Sequence, residues 1–337
     1  MIYPKNIKPG DTIGLTAPSE GIRNNIREKR VLNAVKQFTH RGYNILKTEN
    51  VKISEKGRSS TKEERAKQFM RLVEDKNIDA IITLTGGEFL TEIWPYLDFE
   101  KIKENPKWIQ GYSDITGIGF LATIIADICT MYSHTFASFG MEHWHEALEE
   151  NLEILQGEEF AQESFDKYQN ERFEEITGLE EYNLDTKVEW INARGEKEID
   201  ITGRMIGGCI DILTYIVGTK FDKVKEFIKK YEQDGFIWFF DNHGYTSESI
   251  VLALLHMKYA GWFEKANAVV FGRTTIRESI YDVTFEEAVM EAIGDLNIPV
   301  IFEADIGHKP PMITVLNGAI AEVKSSNGKG SILFIKK

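Results

Sequence analysis

Cysteine is scarce in this 337-residue chain: Cys129 and Cys209 are its only two. That excludes a disulfide framework and a cysteine-built zinc site. Long apolar runs are missing as well. No stretch approaches the roughly 18 uncharged residues that a membrane span needs. The opening Met1-Ile2-Tyr3-Pro4-Lys5 lacks the apolar core of a signal peptide, so a reducing cytoplasm is the expected compartment. Basic excess is absent too. Forty Lys and Arg stand against 53 Asp and Glu, a formal charge of −13, which argues against nucleic acid or an anionic membrane as the main partner. The phosphate-cradling pattern Gly-x-x-x-x-Gly-Lys-Ser/Thr does not occur, nor does any internal repeat or low-complexity tract.

What is present is an ordinary globular mixture, 42% hydrophobic and 28% charged. The length suggests two domains. Charge is unevenly distributed. Between Glu146 and Glu189 there are 15 acidic and 3 basic residues, a net of −12, so the rest of the chain is close to neutral. Such a shift reads as a solvated helix and connector between domains. The expected division is a first domain over 1–165, an acidic connector over 166–189 and a second domain over 190–337.

The first half alternates strand and helix patterns. Strands are expected at 12–18, 43–46, 78–84 and 107–112, and helices at 22–39, 62–75 and 115–128. That alternation implies an α/β architecture around a parallel sheet. In the second half, Gly203 to Val217 is expected to hold an apolar helix. Strands are expected at 236–240, 268–271 and 299–302, and helices at 249–259 and 284–293. The tail from Ile313 to Ile335 reads as β-hairpins turning at Asn317-Gly318 and Ser326-Asn327-Gly328.

Ligands of open α/β sheets bind beyond the carboxyl ends of the strands. Three reactive residues pass that filter: Ser113, Asp241 and His308. They supply a nucleophile, a carboxylate and a base, and triads are recognised by roles rather than chain order. Ser113 lies between a strand and a helix in Gly111-Tyr112-Ser113-Asp114-Ile115-Thr116, where a tight turn exposes a hydroxyl and the next N–H points at an oxyanion. The bland reading is a helix cap, and Gly-x-Ser-x-Gly is absent. Gly86-Gly87 after the 78–84 strand allows close backbone approach and a second oxyanion donor, or merely a turn. Asp241 closes an apolar strand, and His308 stands in the rigid Gly307-His308-Lys309-Pro310-Pro311 loop; a strand-end turn residue and a surface histidine are the plain alternatives. Two rival motifs are weaker. Gly117-Ile118-Gly119-Phe120-Leu121-Ala122 fits a dinucleotide pattern but falls inside a predicted helix. His143-Trp144-His145-Glu146 lacks the second histidine of a zinc helix.

These same segments resemble the LD-carboxypeptidase family of serine peptidases. The resemblance rests on Gly111 to Thr116 with Asn105-Pro106-Lys107 and Pro95-Tyr96-Leu97-Asp98 upstream, and on Ile7-Lys8-Pro9-Gly10-Asp11 through Ala17-Pro18-Ser19. It continues in order through Gly86-Gly87, Gly203, Gly207-Gly208, Gly218-Thr219, Gly272-Arg273 and Gly307-His308. It implies an N-terminal flavodoxin-like parallel-sheet domain carrying the nucleophile, and a C-terminal swivelling-type α/β domain carrying acid and base. It further implies Ser113 as nucleophile, His308 as general base, Asp241 as acid, and the N–H groups of Asp114 and Gly87 as the oxyanion hole. Gly86, Glu88 and Trp190 would meet substrate. No metal or other cofactor is expected, the partner is a small peptide-like substrate, and the assembly is a homodimer.

Three positions depart from the family pattern. Asp241 replaces a glutamate, Glu88-Phe89 follows Gly86-Gly87, and Ser133-His134-Thr135-Phe136 stands where the family has Gly-Pro. The family offers two chemistries: removal of the terminal D-Ala from murein tetrapeptide, and cleavage of a microcin-C-type peptidyl-nucleotide, in which an aromatic side chain stacks on the base. Trp190 lies near the place of such a residue, with interface packing as the equal alternative. The length and the acidic segment favour the second chemistry slightly. A reading of another class is a binding protein that keeps the fold and sequesters such conjugates without hydrolysis.

Overall fold

A computed structural model of the chain describes residues 1–171 and 173–335. They form two compact units. Unit 1 takes Met1–Glu158, Glu171–Asn183 and Thr314–Asn317; unit 2 takes Glu159–Asn170, Leu184–Ile313 and the chain from Gly318 onwards. The acidic stretch therefore contributes to both. Its first part is a helix of unit 1, and its 171–183 segment is tied to the same unit by Arg30, whose guanidinium donates to the carbonyls of Ala137 (2.9 Å) and Glu180 (3.1 Å).

Unit 1 is built on five parallel strands, β1 (Thr12–Thr16), β2 (Asn44–Lys47), β3 (Ala80–Thr83), β4 (Trp108–Gly111) and β5 (Thr130–Tyr132), in the order β5-β4-β3-β1-β2. This is the flavodoxin-like order that the family resemblance implies. β3 and β4 are buried at every position, which explains their unbroken apolar runs. The helices begin where their caps dictate. α1 (Asn25–His40) follows Asn24, whose side chain accepts from the Arg27 N–H, and buries Val31, Ala34 and Phe38 at helical spacing. α2 (Lys62–Glu74) starts after Thr61, which caps it in the same way. α3 (Phe99–Glu104), α4 (Thr116–Ala126) and α5 (Glu146–Gln156) complete the unit.

Unit 2 is a second α/β unit on a mixed sheet. Four neighbouring strands run parallel: Glu198–Cys209, Phe236–Asp241, Ala266–Gly272 and Val300–Ala304. Antiparallel strands extend the sheet on both sides, with Ile320–Ser326, Lys329–Ile335 and Ala161–Glu163 beyond the first and Ile191–Asn192 beyond the last. Trp238 stacks on Trp262 at 5.5 Å beneath the sheet centre, both rings fully buried.

Two expectations need correction. The apolar helix sought in 203–217 occupies only Ile210–Ile216, because Gly203 to Cys209 finishes a twelve-residue strand. The Asn317-Gly318 turn does not close a hairpin. Val315–Asn317 pairs antiparallel with β5 in unit 1, whereas Ile320–Ser326 joins the sheet of unit 2. The Asn327-Gly328 hairpin between Ile320–Ser326 and Lys329–Ile335 forms as expected. No helix among the described residues is long and apolar enough to cross a membrane.

Candidate active site

In unit 1 the chain leaves β4 at Gly111 and enters a single 3₁₀ turn, Ser113–Ile115, before α4. Ser113 has φ +62°, a left-handed conformation that costs a side chain about 1–2 kcal/mol and concentrates at functional turns. The backbone of Gly86 lies directly against it. A Cβ on Gly86 would sit 3.1 Å from Ser113 Cβ and 3.2 Å from its Oγ, and 3.6 Å from the Asp114 nitrogen. Gly87, at φ +156°, needs to be glycine for a second reason, since a Cβ there would meet Ser19 Oγ at 2.2 Å. Unit 1 thus gathers Ser113, Gly86, Gly87 and Asp114 at the carboxyl ends of β3 and β4. Glu88 is exposed on the rim.

The Asp114 carboxylate fastens this arrangement. Its Oδ2 accepts from Ser19 Oγ at 2.5 Å and from the Leu90 N–H at 3.0 Å. The residue after the serine therefore holds both the loop that follows β1 and the far end of the Gly86-Gly87 loop. Asp114 is buried, and burial pushes its pKa up to about 6 against the pull of those two hydrogen bonds.

Unit 2 gathers Asp241 and His308. Asp241 is the last residue of its strand and fully buried, and His308 follows Val300–Ala304 by a short loop, so both stand at the carboxyl edge of the parallel strands. Asp241 Oδ2 lies 2.7 Å from His308 Nδ1. The Gly307 backbone passes close beside this carboxylate: a Cβ on Gly307 would fall 2.1 Å from Asp241 Oδ1. Arg273 fixes that loop, donating to the Lys309 carbonyl at 3.1 and 2.7 Å and to the Pro311 carbonyl at 2.5 Å. Its remaining nitrogen meets Asp305 at 2.6 Å in a buried ion pair.

Of the two alternatives for Trp190, its surroundings are those of a packed side chain. It is 2% exposed, its indole N–H donates to Asp305 Oδ2 at 2.7 Å, and its ring fills the space over Gly330, whose Cβ would meet it at 2.1 Å. Through Asp305 it supports the Arg273 clamp on the His308 loop. The rival motifs resolve similarly. Gly117 packs against the Trp94 indole inside α4. His143 contacts Glu181 at 2.6 Å on the surface, and His145 caps α5 by accepting from the Ala147 N–H. Among the described residues no group of His, Cys, Asp and Glu is arranged to hold a metal ion.

One residue escaped the sequence reading. His243, two positions past Asp241, lies with its ring parallel to that of His308, centroids 4.0 Å apart and planes 16° apart. It passes the same strand-end filter that selected His308.

Comparison with known proteins gives matches along both units. A family model described as the LD-carboxypeptidase N-terminal domain matches residues 13–133, and one described as the LD-carboxypeptidase C-terminal domain matches residues 202–323. The microcin C7 self-immunity protein MccF of Escherichia coli is 27% identical over 340 residues, 96% of this chain and 93% of its own. A solved structure of MccF in complex with glutamyl sulfamoyl guanosine superposes with a TM-score of 0.80 at 23% identity, over 99% of this chain and 98% of that one. Muramoyltetrapeptide carboxypeptidase from Oxalobacter formigenes superposes with a TM-score of 0.75 at 20% identity, over 96% and 99%.

Proposed function

The chain belongs to the LD-carboxypeptidase family of serine peptidases, and from that premise we propose that it hydrolyses an amide bond of a small peptide-like substrate with Ser113 as nucleophile, His308 as general base and Asp241 as the acid that orients the base. The observation that carries the reading is the conformation of Ser113, held at φ +62° on a strand-to-helix turn with glycine backbone against its hydroxyl. Strain of that kind at a half-buried hydroxyl serves to aim it.

In the proposed reaction Ser113 Oγ attacks the scissile carbonyl while His308 Nε2 takes its proton. The carbonyl oxygen, now negative, is stabilised by the N–H groups of Asp114 and Gly87. His308 then protonates the leaving amine, and water repeats the sequence on the acyl-enzyme to release the acid and free serine. Asp241 beside Nδ1 favours the tautomer with the proton on that nitrogen, which leaves Nε2 as the acceptor.

The substrate we favour is a short peptide with a terminal D-Ala, of the murein type, because the burial of Trp190 lends no support to base stacking by that residue. The peptidyl-nucleotide reading keeps support from MccF structures in complex with glutamyl sulfamoyl guanosine and aspartyl sulfamoyl adenosine. The test is incubation with a murein tetrapeptide and, separately, with aspartyl sulfamoyl adenosine, read by mass spectrometry beside Ser113→Ala. Loss of D-Ala by the wild type only is the expected result. Cleavage of the adenosine conjugate alone transfers the assignment to the second reading. Turnover retained in Ser113→Ala removes the serine mechanism, and no turnover together with tight binding of either compound supports the binding-protein reading.

A further inference from the structure

We propose that His243 is a positioning residue for the base, holding the plane of the His308 ring by face-to-face contact while Asp241 holds its edge. The inference rests on the assignment of His308 as the base. Asp241 approaches one point of the imidazole, at 2.7 Å from Nδ1, and an edge contact of that kind does not by itself fix the tilt of the ring. A second ring parallel at 4.0 Å removes that tilt. It also presents an aromatic face to the imidazolium that forms when His308 takes the serine proton.

His243 is itself held on three sides. The Thr275 hydroxyl donates to the His243 carbonyl at 2.7 Å and lies 3.1 Å from its Nδ1. One hydroxyl has one proton, so the second contact is the Nδ1 proton of His243 donated to Thr275 Oγ1. The His243 N–H donates to Asp211 Oδ2 at 3.1 Å, and the next N–H, of Gly244, donates to Asp211 Oδ1 at 2.7 Å. Asn242 closes the turn, its amide donating to Thr274 Oγ1 and to the Tyr245 carbonyl, both at 2.8 Å. Such a loop fixes the direction of its histidine far more closely than a helix start at Ser247 needs.

The test compares wild type, His243→Ala and His243→Phe, the last keeping a ring without ionisable nitrogen. Two quantities are read: the tautomer of His308 by ¹⁵N-edited NMR, and the rate at which a fluorophosphonate labels Ser113. In wild type and His243→Phe, His308 is expected as a single tautomer with the proton on Nδ1, and the two labelling rates are within about threefold. In His243→Ala the tautomers mix and labelling slows tenfold to a hundredfold, the scale of loss for a misdirected catalytic group. If His243→Ala is unfolded by circular dichroism, His243→Leu, which keeps bulk without a ring, takes its place. A ringless variant with wild-type tautomer and wild-type labelling overturns the proposal, as does a failure of His243→Phe to restore either. Absence of labelling in the wild type speaks against the serine-peptidase reading, and the NMR comparison then decides the stacking role by itself.

Discussion

Asp114 carries a carboxylate into a place that favours its uncharged form. It is 1% exposed, and while Oδ2 takes two hydrogen bonds, Oδ1 has no partner among the described residues. Burial raises its pKa from 3.8 to about 6. A carboxyl whose pKa is higher folded than unfolded binds its proton more tightly in the folded state. Its contribution to stability is fully present below pH 3.8 and is lost as pH rises through 6. Asp114→Asn keeps an acceptor for Ser19 and Leu90 and removes the titration. The difference in Tm between variant and wild type is therefore expected to move in the variant's favour from pH 4 to pH 7, by the equivalent of about 3 kcal/mol at most. Thermal melts at several pH values check this, and a difference that stays constant means that Asp114 does not titrate in that window. At this scale the sequence was a good guide to which residues end strands, since Ser113, Asp241 and His308 follow from apolar runs that stop. It was a poor guide to what surrounds a side chain. Trp190 was placed near a stacking position by the family resemblance, with packing as the equal alternative, and only the fold brings Asp305 and Gly330 over it.

The strand Glu198–Cys209 shows why elements were harder to read in the second half than in the first. Met205-Ile206-Gly207-Gly208-Cys209-Ile210 is a short apolar run, and such a run fits strand and buried helix equally well. The arbiter is backbone space that composition does not display. Gly207 and Gly208 have φ near +154°, and a Cβ on Gly207 would lie 1.9 Å from the carbonyl oxygen of Phe239 on the adjacent strand. The register pairs Gly207 with Phe239 and Cys209 with Asp241, so this close approach sets the strand that ends in the proposed acid. Gly207→Ala combines a forbidden dihedral with a backbone clash. It is expected to lower Tm by more than 10 °C or abolish soluble expression, whereas Gly294→Ala, where a Cβ meets only the end of Met290 at 3.5 Å, is expected to melt within about 2 °C of wild type. Equal melting temperatures for the two variants would refute the close-approach explanation. In the first half β1 to β4 and the helices α1, α2 and α4 were legible, because caps such as Asn24 and Thr61 and fully buried strands such as β3 and β4 leave a direct mark on residue type, whereas the short β5 and α3 were not read.

Across the whole molecule the two units are compact but not contiguous in sequence. Unit 1 recruits Thr314–Asn317 from far along the chain, and the four residues are all buried. Val315–Asn317 adds the outermost strand beside β5. Thr314 Oγ1 lies 2.8 Å from Ser133 Oγ and accepts from Asn151 Nδ2 at 2.9 Å, within a fully buried polar cluster that also includes Gln110. Local patterning cannot announce such a return, since three residues of strand look the same whichever sheet they join, and Asn317-Gly318 reads as a hairpin turn in either case. A fragment ending at residue 158 therefore keeps every helix of unit 1 yet lacks this strand. It leaves β5 as an open edge, with Ser133 and Asn151 deprived of a partner. The fragment is expected to aggregate or to melt without cooperativity. A second version, in which residues 313–318 are appended through a flexible linker, is expected to recover a cooperative transition. Calorimetry of the pair decides the matter. If the short fragment already melts cooperatively and stays monomeric, the returning strand is dispensable, and the serine-bearing unit folds from its first 158 residues alone.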